Sequence, residues 1–514
     1  MKRSQTYAQI ADHLAQTCEA SVADDGTQRG SLVNGELWDG TLYLCMGEMH
    51  RVRGVDPVQI LNRDFAAISR SCLQNWRDDS ILKQCFAAMG LGMLGPDGED
   101  HPVLGAMGTK NRQHLDHLLH VTRSFSNNWE IFNACLRMGR TALYGDDPEA
   151  VLPHMRKMAD KYEISGYFDD SAGSGDYNSY GLMTLNFAFR ASEFLPPGHS
   201  VRRKIEELFR PHALRYAELL RLLIGTRGEG WLFGRSAGVL GQLQCLSFLE
   251  QLLCKGWLSE ADAAWSRRAC RELLTYMLDV FWDEPQRCFL FRDTWRTCYF
   301  YRHQLPMQWD LWRYFLQMED YAKQDEASGG KELEKLPRES VCREVITDPR
   351  KHTATLVWSD GDLKWQMPVM GGPGAITGDI LPRPYLPGLF EWCTDTNTPP
   401  VLCPRFTVDG VQAWPAWWPS ETELQKEQDH WVYRLCYPGW VDEKGRLLDL
   451  SVRPEVRFEF GSGFLCGWTD CNYPNRWTCR RFESRFCTEH RIPDPDAIRR
   501  YIKSIVNSPP PFQS

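Results

Sequence analysis

The chain has 514 residues, of which 43% are hydrophobic and 25% charged; this is enough apolar content for a substantial core and too little polar bias for long disorder. Its 59 basic and 67 acidic residues leave a net charge of -8, which excludes a broad nucleic-acid-binding surface but not a few arginines in a pocket for an anionic small substrate. No stretch approaches the roughly 20 apolar residues that cross a bilayer, and the basic start MKRSQTYAQIADHLAQT lacks the apolar run of a secretion signal.

The 18 cysteines are scattered, several in apolar stretches such as Cys135, Cys245 and Cys254, and no Cys-x-x-Cys pair occurs. That pattern suits reduced, buried thiols and a cytoplasmic location. No motif demands a cofactor.

Residues 1 to about 325 read as helices joined by loops. Amphipathic patterns cover Asp56–Cys72, Trp129–Leu143, Pro153–Tyr162, Gly181–Phe194, Val201–Leu223, Val239–Cys254, Glu260–Phe281 and Met307–Tyr321. In Val239–Cys254 the leucines at 240, 243, 246, 249, 252 and 253 repeat at three- and four-residue spacing. Such a series predicts helical hairpins packed in sequence and able to close into a ring. A helical domain over 1–330 is followed by a polar stretch over 331–350 that reads as a linker. Beyond it, His352–Trp358, Leu363–Val369, Trp431–Tyr437, Glu455–Phe460 and Gly463–Trp468 are strand-like, between Pro, Gly and Asp-Gly turns. Residues 351–514 therefore predict an antiparallel β-sandwich, with a short closing helix at Asp494–Ile505 and a loose SPPPFQS tail.

Three segments concentrate reactive side chains. Gly166–Gly181, GYFDDSAGSGDYNSYG, joins two helical patterns and carries Asp169, Asp170, Asp176, Tyr167, Tyr177, Tyr180 and Asn178. A plain helix connection needs only a few residues, and carboxylates, phenols and an amide together suit acid–base chemistry on a polar substrate. The plain alternative is a Ser/Asp turn anchored by tyrosines. In Ser126–Arg137, Ser126 or Asn127 is expected to cap a helix starting near Trp129, with Asn128 at its mouth. In Trp231–Gly241, Arg235 precedes an apolar helix and can pair bidentately with a carboxylate.

Other signals are weaker. His114, His117 and His120 form a stripe at three-residue spacing around Asp116 without a metalloprotease pattern, and Cys487–His490 has only irregularly spaced company in Cys471 and Cys479; no metal site is expected. Met370–Gly374 lacks the Lys-Ser/Thr of a phosphate loop. Trp414, Trp417 and Trp418 suit core packing better than a sugar platform. No Gly-x-Ser-x-Gly elbow is present.

Three pieces, NNW at Asn127–Trp129, GYFDDSAGSGDYNSY at Gly166–Tyr180 and FGRS at Phe233–Ser236, occur in an order that resembles the domain-of-unknown-function 2264 family. Some members of that family are classed as glycoside hydrolases with β-glucuronidase activity. The resemblance implies an (α/α)6 toroid followed by a β-sandwich, and a carbohydrate substrate bearing a uronic acid. It implies catalysis by Asp170 and Asp176, with Asp169 in reserve; Asp39 and Glu48, near Trp38 and His50 in the first helical hairpin, are more distant alternatives from the sequence itself. Arg235 would then bind the uronate carboxylate, Asn127, Asn128, Tyr177, Asn178 and Tyr180 would orient the sugar, and Trp129 would supply a stacking wall. The same architecture also carries uronate lyases, for which Tyr177, Tyr180 and His303 would matter more. A sugar-binding protein and a small-molecule tailoring enzyme are the remaining alternatives.

Overall fold

The computed structural model describes residues 1–20, 36–56, 59–60, 63–74, 76, 80–120, 123–163, 166–170, 177–233, 238–289, 304–350, 352–361, 363–369, 406–408, 411–416, 418–442, 444–449, 453–461 and 464–470. Among them are twelve α-helices. In chain order these are α1 (Arg3–Ala20), α2 (Glu36–Arg53), α3 (Phe65–Gln74), α4 (Ile81–Leu94), α5 (Thr109–Leu118) and α6 (Glu130–Tyr144). They continue as α7 (Leu152–Glu163), α8 (Tyr180–Ser192), α9 (Ser200–Leu223), α10 (Val239–Lys255), α11 (Glu260–Phe281) and α12 (Gln304–Ala327).

The even-numbered helices form a closed cycle: α2 packs on α4, α4 on α6, α6 on α8, α8 on α10, α10 on α12, and α12 back on α2. The odd-numbered helices lie outside it, α1 on α12, α3 on α2, α7 on α6, α9 on α8 and α11 on α10. Helix α5 is tied to the ring by Gln84, whose Nε2 donates to Leu118 O at 2.6 Å. This double ring is an α/α toroid. Its two layers differ in composition as position requires. Every residue of α8 is buried, as is α10 from Val239 to Leu253. Outer helix α9 buries only a stripe through Val201, Ile205, Phe209, Ala213, Tyr216 and Leu220.

Neighbouring inner helices run parallel, because the chain passes through an outer helix between each pair. Glycines let α2, α4 and α6 approach backbone to backbone. A Cβ on Gly90 would stand 2.1 Å from Tyr43 O, and one on Gly139 would stand 2.4 Å from the Ala88 carbonyl carbon. Parallel inner helices gather their N-termini at one end of the ring, the mouth, and their C-termini at the other.

Two departures from the sequence pattern occur in this half. The pattern over Asp56–Cys72 predicts one helix, but a two-residue hairpin, β1 (Gln59–Ile60) with β2 (Arg63–Asp64), comes first. Helix α3 starts only after it, where Asp64 Oδ1 accepts from Ala67 N at 2.8 Å in the manner of a cap. A second small hairpin, β3 (Trp282–Asp283) with β4 (Cys288–Phe289), follows α11 and turns through Arg287 at φ +51.

The C-terminal half is antiparallel. Strands β5 (Val341–Asp348), β6 (Thr353–Asp360) and β7 (Leu363–Val369) form one sheet in that order. Strand β5 lies inside the stretch read as a linker from its charge; it pairs with β6 in the register Cys342 to Trp358. A four-stranded sheet contains β10 (Glu421–Glu427), β11 (His430–Cys436), β13 (Glu455–Gly461) and β14 (Phe464–Asp470). Strands β8 (Phe406–Val408), β9 (Val411–Pro415) and β12 (Trp440–Val441) form a third group. Contacts join the first two sheets. The Trp358 ring meets Phe460 edge-on at 6.4 Å, and Tyr433 OH donates to Glu344 Oε1 at 2.6 Å. The expected helix at Asp494–Ile505 lies outside the described residues.

The first sheet docks on the toroid through β7. Buried Gln366 donates from Nε2 to Leu223 O at 3.0 Å and Gly230 O at 2.6 Å, and its Oε1 accepts from Leu232 N at 3.2 Å. Lys364 Nζ adds a bond to Ile224 O at 2.9 Å, and burial pushes its pKa down to about 8. The segment so gripped leaves α9 and leads towards the N-terminus of α10, so the sheet sits at the mouth end. No helix of the described residues is long and apolar enough to cross a membrane. The cysteines among the described residues are free thiols, most of them buried.

Candidate active site at the mouth of the ring

The segments singled out by composition all precede inner helices. Residues 123–129 lead into α6, 166–179 into α8 and 231–238 into α10. Parallel packing of the ring therefore brings the described residues of these segments to one end, although they are far apart in sequence.

Asp170 is fully buried, and its Oδ1 accepts from Asn128 N at 3.1 Å. This bond ties the α8 loop to the α6 loop. Asp169 is buried beside it, and Lys161 Nζ on outer helix α7 donates to Asp169 O at 3.5 Å. Burial lowers the Lys161 pKa, against the pull of the Asp169 and Asp170 carboxylates. Under the loop lies an aromatic layer. Tyr216 OH accepts from Phe168 N at 3.0 Å, Tyr162 OH donates to Gly181 O at 2.7 Å, and the rings of Tyr162 and Phe168 are 5.1 Å apart. These contacts pin the residues on either side of the aspartates to α7 and α9.

Tyr177, Asn178 and Tyr180 are all buried at the start of α8. Asn178 Oδ1 accepts from Tyr180 N at 2.8 Å, so this amide shapes the first turn of the helix. Asn127 Oδ1 does the same one loop earlier, accepting from Trp129 N at 3.2 Å. The cap of α6 is Trp129 itself, at φ -64 and ψ -19, and no side chain caps it; the expected Ser126 or Asn127 cap is replaced by a tight turn in which Glu130 N donates to Asn127 O at 3.2 Å. Trp129 is half-buried, its ring 5.7 Å from Phe125. Among the described residues, buried polar atoms at the mouth without a partner include Asn128 Oδ1 and Ser179 Oγ. Each costs roughly 1–3 kcal/mol while it stays dry and unbonded, and a polar ligand would remove that cost.

Glu130, at the start of α6, was not marked by the sequence. It is buried and accepts from His154 Nδ1 at 2.7 Å, Phe125 N at 2.6 Å, Ser124 Oγ at 3.1 Å and Asn133 Nδ2 at 3.1 Å. Burial alone would raise its pKa; the hydrogen bonds from His154 and Phe125 N, with the charge of Lys157, outweigh burial and hold it below the usual carboxylate range. It organises the loop that carries Asn127 and Asn128. Lys161 and Glu130 had no sequence signal because each acquires its place through a partner on another element, Asp169 O for Lys161 and His154 for Glu130.

Asp176 and Arg235 lie outside the described residues, as do His303, Trp417, Met370–Gly374 and the Cys487–His490 pair with Cys471 and Cys479. The side chains of Asp39 and Trp414 also lie outside them. Glu48 lies away from the mouth. It is fully buried in the C-terminal half of α2, bonded to Arg190 Nε at 3.0 Å and to Gln317 Nε2 at 2.7 Å. His114, His117 and His120 are exposed on and just after α5, and no group of three or more His, Cys, Asp or Glu among the described residues could hold a metal ion.

No protein-family model matches the chain, and no curated protein matches it. The resemblance to the domain-of-unknown-function 2264 family thus rests on the three quoted segments. Several solved structures are similar, among them two carbohydrate-active enzymes. One is a glycosyl hydrolase of family 88 from Bacteroides vulgatus, at 10% identity and a TM-score of 0.43 over 62% of this chain and 99% of that one. The other is the chondroitin AC lyase of Streptomyces coelicolor A3 in complex with chondroitin sulphate, at 13% identity and a TM-score of 0.44 over 90% of this chain and 67% of that one.

Proposed function

We propose that the protein is a glycoside hydrolase acting on a uronic-acid-containing oligosaccharide or glycoside, exo-acting in the manner of a β-glucuronidase. The observation that carries this reading is Asp170: a carboxylate removed from solvent at the mouth of the ring, locked to Asn128 N, and accompanied there by the unpartnered polar atoms of Asn128 and Ser179. A carboxylate in such a place is suited to exchanging a proton with a bound sugar rather than with bulk water.

In the reaction, one carboxyl group protonates the glycosidic oxygen as the bond to the anomeric carbon breaks. The other activates water or attacks that carbon, and the net change is one water consumed and one alcohol released. Asp170 and Asp176 take these roles, with Asp169 in reserve. Tyr177 and Tyr180 hold sugar hydroxyls from the α8 side and Asn128 from the α6 side. Asn127 and Asn178 act through the turns they shape, and Trp129 forms a wall. Arg235 holds the uronate carboxylate.

A lyase is the second reading, favoured by Tyr177 being buried in the same loop as the aspartates. A tyrosine so placed is suited to removing the proton beside a uronate carboxylate. One experiment separates the two. The protein is incubated with nitrophenyl glycosides, including the β-glucuronide, and with uronate oligosaccharides, reading nitrophenol release and new ultraviolet absorbance together. Release that is lost in Asp170→Asn and Asp176→Asn is the expected result. Absorbance of a new double bond that survives both changes would move the assignment to the lyase, and silence in both channels would overturn the enzyme reading for these substrates.

A further inference from the structure

The inside of the ring is closed part-way down. Phe86 of α4 and Phe187 of α8 stack with centroids 6.0 Å apart and planes 11° from parallel, and Phe132 of α6 meets them edge-on at 6.0 and 5.3 Å. Arg313 of α12 lies over the same rings. Its guanidinium carbon is 4.9 Å from the Phe187 centroid, 5.5 Å from that of Phe86 and 3.8 Å from that of Tyr314. Helices α4, α8 and α12 alternate round the cycle, so these contacts cross the lumen. One turn further from the mouth, Gln317 bonds Glu48 of the C-terminal network.

The lumen above this plug is open to solvent. Along α8, Tyr180, Met183 and Phe187 keep 8%, 7% and 3% of their surface exposed, falling with depth, whereas Leu182, Leu185 and Phe189 keep none. Phe187 lies seven residues below Tyr180, a drop of about 10 Å along the helix. On α12 the Asp310 side chain is 14% exposed, and its Oδ1 accepts from Arg313 Nε at 2.7 Å. Among the described residues this is the one ion pair that Arg313 makes. Burial would lower the Arg313 pKa; the Asp310 carboxylate outweighs it and keeps the guanidinium charged. The mouth therefore leads into a blind shaft whose end carries an acceptor and a cation on an aromatic bed.

We propose that Asp310 and Arg313 read the non-reducing end of the bound sugar, Asp310 accepting from one hydroxyl and Arg313 donating to its neighbour. The assignment rests on the reading of the mouth as a sugar site. In a pyranoside whose anomeric carbon is held at the mouth, the C3 and C4 hydroxyls are at the far end of the ring and point down the shaft. The C5 substituent stays to the side, so the uronate carboxylate remains with Arg235 and the deeper cation serves hydroxyls. A carboxylate beside a guanidinium matches a vicinal diol, one accepting and the other donating, and the phenylalanines take the apolar edge of the ring. Both residues are specificity-determining. They also give exo action a physical cause, because a further sugar on the C4 oxygen would run into Phe86 and Phe187.

The test titrates the full-length protein with D-glucuronate and 4-O-methyl-D-glucuronate by calorimetry, as the native chain and as Asp310→Asn and Arg313→Lys. The native protein is expected to bind the 4-O-methyl sugar about tenfold or more weakly than glucuronate, the effect of losing a charge-assisted hydrogen bond. Either variant should erase most of that difference by weakening glucuronate. The ratio of the two affinities is the readout, since a variant that only loosens the ring weakens both sugars alike. Arg313→Lys keeps a charge in the lumen and serves if Asp310→Asn does not fold. A native protein that binds the two sugars equally, or an unchanged ratio in either folded variant, overturns the assignment. Binding of neither sugar overturns it together with the sugar-site reading. The expected ratios without turnover of any glycoside overturn the hydrolase reading alone.

Discussion

The two ends of the inner ring use charge in opposite ways. At the C-terminal end, Glu48 of α2, Arg190 of α8 and Gln317 of α12 meet in one buried network, and Arg190 also reaches Glu193 at 2.8 Å. Three inner helices that are distant in sequence are joined there by charges that cancel. At the mouth, acidic residues crowd into a single loop before a single helix, and they are approached by a backbone amide and an outer-helix lysine. Opposite charges supplied by the ring itself stitch it together; like charges collected in one loop, with a cation arriving from the outer layer, make a place for something else. That contrast is why Glu48, a reasonable catalytic alternative from the sequence, is better explained as part of the floor.

The largest effect should come from breaking the floor. Arg190→Ala leaves Glu48 and Glu193 buried without their main cation, at a cost of about 3–5 kcal/mol, read as a drop in the denaturant midpoint; an unchanged midpoint would mean that the network does not close the ring. Asp170→Asn should do the reverse. It keeps an acceptor for Asn128 N, so the midpoint should stay close to native while turnover falls about 10²–10⁴-fold. Loss of stability in parallel with turnover would make Asp170 a structural residue. Between the two ends, Gly90→Ala forces a Cβ against the Tyr43 carbonyl and should cost about 1–3 kcal/mol in the same unfolding experiment; no cost would show that α2 and α4 can move apart.

The smallest effect concerns pH at the mouth. His212 stacks on Tyr162 at 4.8 Å, and burial together with Arg215 pushes its pKa down to about 4. The unfolded chain takes up this proton near the ordinary value of about 6.5. The contribution to stability is therefore complete above that value and is lost as pH falls from there towards 4. His212→Gln should flatten this part of the stability profile. An unflattened profile would assign the acid sensitivity to other groups.

How far the fold could be read depended on whether a helix carries a regular apolar spacing, which buried α10 has as well as the outer helices α9 and α11. Glu260–Phe281 was read with the bounds that α11 has, and α9 differs from its reading by one residue, because both are outer helices with a wet face that imposes a 3.6-residue period. Helix α4, ILKQCFAAMGLGML, is buried almost throughout, and α5 buries little more than Leu115; neither composition contains a period to find. Strand β5, VCREVITD, was hidden by its charged residues Arg343, Glu344 and Asp348. In the site, the α8 loop was visible from its composition, but the roles within it were not. Asn178 and Asn127 have the residue type of a ligand and the hydrogen bonds of a turn. Lys161 has ordinary neighbours in sequence and becomes informative only where α7 meets the loop before α8.

The backbone contacts at Gly90 and Gly139 divide the ring into unequal arcs. At Gly90 and Gly139, where α4 meets α2 and α6, the backbones already touch and no side chain remains to shorten. From α8 through α10 to α12 the contacts run through side chains, such as Gln251 reaching Asn186 O at 3.3 Å and Tyr321 OH at 3.0 Å. Any descendant of this chain that adapts to a bulkier or slimmer guest has to do so by trimming or enlarging residues on the second arc. The glycine arc is a fixed jaw, and the variable jaw begins with the helix that follows the aspartate loop.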